Sequence, residues 1–320
     1  ADLFVIAPCT ANVLRAAAQG DGSTLLGAAL LANTKPLLLF PAMNGKMLAS
    51  GPVQEHIKIL KERGAEIVDP DSGLLACGYE GKGRMPSAAV INDYVMRALC
   101  DKKDFAGRRV AVTAGPTHEY IDPVRFISNP SSGKMGYAIA EEAWRRGAEV
   151  TLITGPTALR RPAGIKIVEV TSADEMFDAC MEASESAEVI VKAAAVGDYR
   201  PAERAEQKIK RGGKDTMTLE LVQNRDIAAE LGRRKRPGQL LVGFAAETQN
   251  VLENAQKKMA EKNLDMIVSN DVLAPGAGFA VDTNSVTIMA RGAEPVRFSG
   301  TKEEAASRIL DSVSALAAGK

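Results

Sequence analysis

Histidine is nearly absent: His56 and His118 are the only two in 320 residues. A metal centre built from several imidazoles is thereby excluded. Cysteine is scarce as well. Cys9, Cys77, Cys100 and Cys180 stand far apart with no Cys-x-x-Cys spacing, which excludes a disulfide framework and a thiolate zinc site and fits a reducing, cytoplasmic setting. Net charge is missing altogether. Forty basic residues cancel forty acidic ones, so no global field draws nucleic acid or an anionic membrane surface. No apolar run reaches the roughly 20 residues that span a bilayer, and no signal peptide is legible. A leading methionine is also lacking. The chain opens on Ala1-Asp2-Leu3-Phe4-Val5-Ile6, a strand-like run that predicts a fragment beginning inside its own sheet.

What remains is ordinary globular material, 46% hydrophobic and 25% charged, and long enough for two domains with a core each. Apolar strands at Leu3–Ala7, Pro36–Phe40 and Ala65–Val68 alternate with helices opened by Thr10, at Thr24–Ala32 and at Val53–Arg63. A glycine-rich loop, Asp69–Pro86, leads to a helix at Ser87–Cys100. The charged run from Asp101 to Asp104 marks a linker over 101–107, between a first domain at 1–100 and a second at 108–320. In the second, strands are expected at Arg109–Ala114, Ala148–Thr154, Val189–Val196, Leu219–Val222, Leu240–Ala245 and Met266–Ser269. Helices are expected at Gly133–Arg146, Ile227–Arg234 and Val251–Lys262, and after the capping boxes at Ser172 and Thr301. Ser285–Ala290 and Pro295–Phe298 read as a terminal hairpin. Continuous apolar strands between helices predict an α/β chain of two doubly wound parallel sheets. Sites in such sheets lie beyond the carboxyl ends of strands, here after Ala7, Phe40, Ala114, Val196 and Ala245.

The loop after Ala114 is long and ends in Ser131-Ser132-Gly133-Lys134-Met135-Gly136. Small residues there let backbone N–H groups meet an anion at a helix N-terminus. Taken alone the run is equally an ordinary cap, or the start of a nicotinamide-binding helix in an NAD(P)-dependent reductase. That fingerprint, however, needs a tight strand-to-helix turn, and residues 115–132 intervene. Four more segments sit at strand ends or loops: Lys192-Ala-Ala-Ala195-Val-Gly-Asp198, Lys208-Ile209-Lys210, Asn224-Arg225-Asp226-Ile227, and Gly243-Phe244-Ala-Ala-Glu247-Thr248 with Lys258 and Lys262 beyond it. Singly they read as a small-residue turn, a solvated basic face, a helix cap and an exposed lysine face. In the first domain Pro41-Ala42-Met43-Asn44 follows a strand, and Cys77 lies in a glycine-rich loop where a proton-donating thiol is plausible.

Together these runs resemble two enzyme families of coenzyme A biosynthesis that occur fused. Asp122-Pro-Val-Arg-Phe-Ile-Ser-Asn-Pro-Ser-Ser-Gly-Lys-Met-Gly136 and Ala194-Ala-Val-Gly-Asp-Tyr-Arg200 are similar to phosphopantothenate–cysteine ligases, as is most of 108–320. The first domain resembles the flavin-dependent phosphopantothenoylcysteine decarboxylases. The resemblance implies an incomplete flavoprotein (flavodoxin/Rossmann-like) domain followed by a Rossmann-like ligase domain. It also implies CTP with Mg2+, 4'-phosphopantothenate and L-cysteine as partners, and an acyl-cytidylate intermediate. By the family pattern Lys208, Lys258 and Lys262 would hold the triphosphate and Ala193, Ala194 and Phe244 would touch the nucleotide. Asp198 and the turn Asn224, Arg225, Asp226, Ile227 would fix cytosine and ribose. Asn129 would meet the acyl carbonyl, and Arg125 and Ala195 would seat phosphopantothenate. In the first domain Asn44 would touch the substrate carboxylate and Cys77 would protonate the product, with Pro8, Thr10 and Asn12 beside FMN. The families imply ligase dimers and decarboxylase trimers. Two departures stand out. Arg225 occupies a position where many relatives carry proline, with contacts expected through the backbone. Gly20–Thr24 differs from the usual acidic loop, and the family's catalytic histidine would lie before Ala1, so weak or no decarboxylation is expected.

Overall fold

The computed structural model describes residues 1–74, 78, 80–210, 216–247, 251–271 and 283–319. The chain divides into two compact units, Ala1–Asp101 and Lys102–Lys320.

The first unit runs β1 (Phe4–Cys9), α1 (Ala11–Gln19), α2 (Leu25–Ala32), β2 (Leu37–Pro41), α3 (Gly45–Leu48), α4 (Gly51–Glu62), β3 (Glu66–Ile67), β4 (Asp71–Leu74), β5 (Glu80–Arg84) and α5 (Ala88–Ala98). The strands β1, β2 and β3 pair in parallel in that order. Both faces of β2 are buried: Leu39 packs with Leu14 and Leu60, while Leu38 and Phe40 pack with Val68. Helix α1 forms because Thr10 accepts from Val13 N–H at its start and Gly20, at φ 72°, turns the chain away at its end. The expected loop at 69–86 instead contains an antiparallel hairpin, β4–β5. Its glycines and charges carry no apolar alternation, so the strand period was invisible.

The second unit runs β6 (Arg109–Ala114), β7 (His118–Tyr120), β8 (Phe126–Ser128), α6 (Lys134–Arg145), β9 (Glu149–Thr154), β10 (Lys166–Glu169), α7 (Ala173–Ser184), β11 (Val189–Lys192), β12 (Tyr199–Pro201) and β13 (Leu221–Gln223). It continues with α8 (Ile227–Arg234), β14 (Leu240–Glu247), α9 (Val251–Glu261), β15 (Met266–Asp271), β16 (Thr283–Ala290), β17 (Val296–Thr301) and α10 (Lys302–Ala318). The main sheet has the order β10-β9-β6-β11-β14-β15-β16-β17. Six strands are parallel, and the terminal hairpin extends the same sheet antiparallel. The order reverses between β6 and β11, the switch point of a doubly wound fold.

Successive strand residues point to opposite faces, and both faces are covered. Ala111, Ile190 and Leu241 meet Phe177 and Cys180 of α7, Leu231 of α8 and Met259 of α9. The alternate residues Val112, Val191 and Val242 are equally buried, on the side where α6 lies over β6 and β9 and α10 packs on α6. Helix α6 approaches very closely because position 136 is glycine; a Cβ there would lie 2.6 Å from that of Ala114. The strand expected over 189–196 ends at Lys192, and Ala193–Val196 leaves the sheet. Two small antiparallel pairs, β7–β8 and β12–β13, stand outside the main sheet.

Residues just after the unit boundary are part of the core. Phe105 is buried, and Arg146, only 1% exposed, sits 5.1 Å from its ring. Arg146 donates to Asp104 Oδ1 through Nε at 2.8 Å and to Asp311 Oδ1 at 2.9 Å. The Arg146 bond leads in holding the Asp104 carboxyl at about 2, below its ordinary 3.8, against burial that raises it. Folded Asp104 therefore stabilises above about pH 4, and the contribution is lost as pH falls towards 2. Asp104→Asn should cost about 2 kcal/mol at pH 7, since Arg146 keeps a second carboxylate. Urea unfolding should show the gap to wild type closing between pH 4 and pH 2.

Candidate functional site

At the switch point, the loop leaving β11 is bonded to the loop leaving β6. Ala195 N–H donates to Gly115 O at 2.9 Å and Thr117 N–H to Ala195 O at 3.4 Å. Two threonine hydroxyls add to this, Thr113 Oγ1 accepting from Ala194 N–H and Thr117 Oγ1 from Gly197 N–H, each at 3.0 Å. Of the alanines expected to face a nucleotide, Ala194 and Ala195 are thus fixed by their backbones where the two loops meet. Asn129, just past β8, reaches the same place. Its Nδ2 donates to the carbonyls of Ala195 (3.3 Å) and Val196 (3.2 Å). Beside it opens a cleft of about 620 Å³ lined by Asn129, Ser131, Ser132, Phe126 and Pro156 among others. The β7–β8 hairpin occupies the place of the tight turn that a dinucleotide-binding reductase requires.

The Asn224–Ile227 turn lies beside the Gly197–Arg200 loop. Asn224 N–H donates to Asp198 O at 2.8 Å and its Nδ2 to Gly197 O at 2.8 Å, while Oδ1 accepts from Arg200 at 2.9 Å. Both ends of the Asn224 carboxamide are therefore bonded within the protein. Ile227 is buried and offers a ligand only its backbone. Asp226 caps α8 by accepting from Ala229 N–H at 3.0 Å and pairs with Lys262 at 2.8 Å. Burial raises the Asp226 pKa, but these bonds outweigh it and leave it lowered.

Arg225 places its Cζ over the Phe177 ring, 3.8 Å from the centroid, and pairs with Asp174 at 2.9 Å and Asp178 at 3.0 Å. The guanidinium is thus bound to α7, leaving the backbone of the turn for a ligand. Lys258 and Phe244 are half-buried, and Lys208 is exposed on the segment before residue 211. The described contacts do not join Lys208 to Lys262. Arg125 is held by Asp122.

In the first unit, Ala42 N–H donates to Cys9 O and Met43 N–H to Gly83 O, both at 3.0 Å. These bonds gather the end of β1, the Pro41–Asn44 turn and the β4–β5 hairpin. Gly83 (φ 144°) must lack a side chain, because a Cβ would fall 2.1 Å from Met43 O. Asn44 caps α3, accepting from Lys46 N–H at 2.8 Å. Pro8, Thr10 and Asn12 are exposed beside this turn, an open platform with a helix N-terminus that fits a flavin phosphate or ring edge. Cys77 lies outside the described residues. Cys9 is buried, and burial pushes its thiol up to about 12, which leaves it inert.

Residues 105–316 match the family described as DNA/pantothenate metabolism flavoprotein C-terminal domain, and residues 1–100 match the Flavoprotein family. The coenzyme A biosynthesis bifunctional protein CoaBC of Bacillus subtilis is 45% identical over 293 residues, covering 90% of this chain and 71% of that protein. The chain belongs to the CoaBC family of coenzyme A biosynthesis enzymes. A relative named cysteine/cysteine sulfinic acid decarboxylase, from an unknown prokaryotic organism, is also 45% identical, over 97% of this chain and 88% of its own length. The crystal structure of the C-terminal domain of a CoaBC protein superposes with a TM-score of 0.59 at 42% identity, covering 68% of this chain and all of that one.

Sequence reasoning about this CoaBC chain gave no role to three polar groups. Ser269 Oγ and Asn270 Oδ1 are buried at the end of β15 without a hydrogen bond among the described residues, at a cost of roughly 1–3 kcal/mol each. Their signal was an apolar strand closing on polar Ser269-Asn270-Asp271. Lys192 is the third. It ends β11 on the face of Ile190, near Cys180, Asp226, Lys262 and Asp198, and makes no hydrogen bond or ion pair among the described residues. Burial holds its pKa below the usual 10.5. That cost is present in full below the folded pKa and disappears as pH rises to 10.5. Lys192→Met should therefore raise Tm at pH 7, with the gain shrinking in thermal melts taken towards pH 10.5.

Proposed function

We propose that the second unit joins 4'-phosphopantothenate to L-cysteine at the expense of CTP, and that the first unit is part of the decarboxylase that converts the product to 4'-phosphopantetheine in the full-length enzyme. The observation that carries this reading is Asn129 bonded to the Ala195–Val196 wall of the β6/β11 crevice. The same carboxamide lines the 620 Å³ cleft, where an activated acyl carbonyl would form.

The pantothenate carboxylate attacks the α-phosphate of CTP, pyrophosphate leaves and an acyl-cytidylate forms. The cysteine amine then adds to the acyl carbon and CMP departs. Asn129 turns its Nδ2 from the Ala195 and Val196 carbonyls to the acyl oxygen, where negative charge develops. Ala193, Ala194 and Phe244 flank the nucleotide, and Asp198 and the backbone of the Asn224–Ile227 turn meet cytosine and ribose. Lys262 exchanges Asp226 for phosphate, with Lys208 and Lys258 adding charge. Mg2+ would arrive with CTP and neutralise charge on the departing pyrophosphate; among the described residues no three acidic, cysteine or histidine side chains stand together as a metal site.

In the first unit FMN, when bound, supplies the redox chemistry of decarboxylation. Asn44 orients the substrate carboxylate, and Cys77 returns a proton. Assembly supports the same reading. Val124, Phe126, Tyr199 and Leu221 are exposed on the two hairpins, an apolar surface that a second ligase unit would cover. Leu25 and Leu31 of α2 are exposed in the first unit, consistent with decarboxylase trimers. No described helix is long and apolar enough to cross a membrane.

Mass analysis of a reaction containing CTP, phosphopantothenate and cysteine tests the ligase reading. CMP, pyrophosphate and a new amide are expected, with ATP or GTP giving less product. NADPH oxidation without amide formation, or no product with any nucleotide, would refute it.

A further inference from the structure

Asp122 has no solvent-accessible surface, yet the roles assigned above leave it without a task. Its Oδ1 accepts from the backbone N–H groups of Val124 at 2.8 Å and Arg125 at 2.9 Å. Its Oδ2 accepts from the Arg125 side chain, through Nε at 2.9 Å and through Nη2. The same oxygen accepts from Ile209 N–H at 3.1 Å, across 87 positions of sequence. Arg125 Nη2 also donates to Ile209 O at 2.8 Å. One carboxylate and one guanidinium thus grip both the N–H and the C=O of the residue between Lys208 and Lys210. A second bond, from Ala205 N–H to Ile121 O at 2.9 Å, runs alongside.

The gripped segment has no strand partner. Lys208, Ile209 and Lys210 are exposed irregular chain, which would sample many conformations if released. Charge-assisted bonds to a buried carboxylate are the strong kind, unlike an exposed ion pair. The Arg125 bonds come first in holding the Asp122 carboxyl well below the usual carboxylate range, with burial opposing, so the grip stays ionised at neutral pH.

We propose that Asp122 is a positioning residue that locks the Lys208–Lys210 strap to Arg125, so that the groups holding triphosphate and phosphopantothenate are presented in one fixed relation. This rests on the ligase reading above. Asp122 meets neither substrate and acts through the two groups it holds.

Asp122→Asn keeps the shape and removes the charge. It should raise KM for CTP and for phosphopantothenate roughly 10-fold each while leaving KM for cysteine unchanged. Lys208→Ala alone should lower kcat/KM for CTP by roughly 10²-fold, and adding Asp122→Asn to it should change that value less than about 2-fold. Equal changes in all three KM values, or fully multiplicative effects in the double variant, would overturn the proposal. Tryptic cleavage of the Lys208–Ile209 bond reads the grip without any activity, and should be roughly 10-fold faster in Asp122→Asn. If wild type makes no amide, the ligase reading fails, and unchanged cleavage would then sink this inference separately. If Asp122→Asn does not fold, Ile209→Pro deletes the strap's donor from the exposed side and should reproduce the CTP effect, with the faster tryptic cleavage read at the bond after Lys210, because trypsin does not cut a Lys–Pro bond.

Discussion

Two loops that diverge at the switch point of the second unit are held together by hydrogen bonds, and the candidate ligase site depends on that seam. In a doubly wound sheet the strands on either side of the reversal send their helices to opposite faces, leaving a crevice at their carboxyl ends. Here the chain leaving β11 runs on beside the chain leaving β6, joined from Thr113 to Thr117. Three consecutive alanines make that seam smooth and shallow. Asn129 is fixed to it by two carbonyls, so in the proposed reaction the amide would pay little reorganisation on turning to a substrate.

The charges around the crevice follow a related logic. Lys192 and Lys262 face the same carboxylate, Asp226, which has a direct bond only to Lys262. Lys192, with Asp198 the second carboxylate near it, has no bonded counter-ion among the described residues, in a half-buried place where charge is costly. A bound polyphosphate would supply one. Arg225 shows the opposite arrangement. Its charge is spent on Asp174 and Asp178 and on the Phe177 ring, so this cation would not compete for a nucleotide bound in the proposed way.

The long apolar strands and capped helices were legible in the residues. Arg109–Ala114 and Ile227–Arg234 form as expected, because burial on both faces and an aspartate cap leave strong local signals. The terminal hairpin was legible and forms as β16–β17, but the small strand pairs outside the main sheet were not. His118–Tyr120 and Tyr199–Pro201 are three residues each, too short to show a period, and their pairing partners lie beyond intervening loops. Strand β11 was drawn too long because Ala193–Val196 is apolar; it leaves the sheet to bond with Gly115 and Thr117. The glycine-rich loop at 69–86 hid a hairpin for the converse reason, having no apolar pattern. Motifs named residues but not their states: nothing in Lys262 or Asn224 as letters foretold that one is paired with Asp226 and the other bonded to Gly197 and Arg200.

The most direct measurement is a crystal structure with a non-hydrolysable CTP analogue and phosphopantothenate. The account predicts the analogue's α-phosphate at the β6/β11 crevice, within hydrogen-bonding reach of Asn129, with the Asp226–Lys262 pair opened and Lys262 on phosphate. A nucleotide bound elsewhere on the second unit, with Asn129 still on the Ala195 and Val196 carbonyls and no ligand beside it, would contradict it.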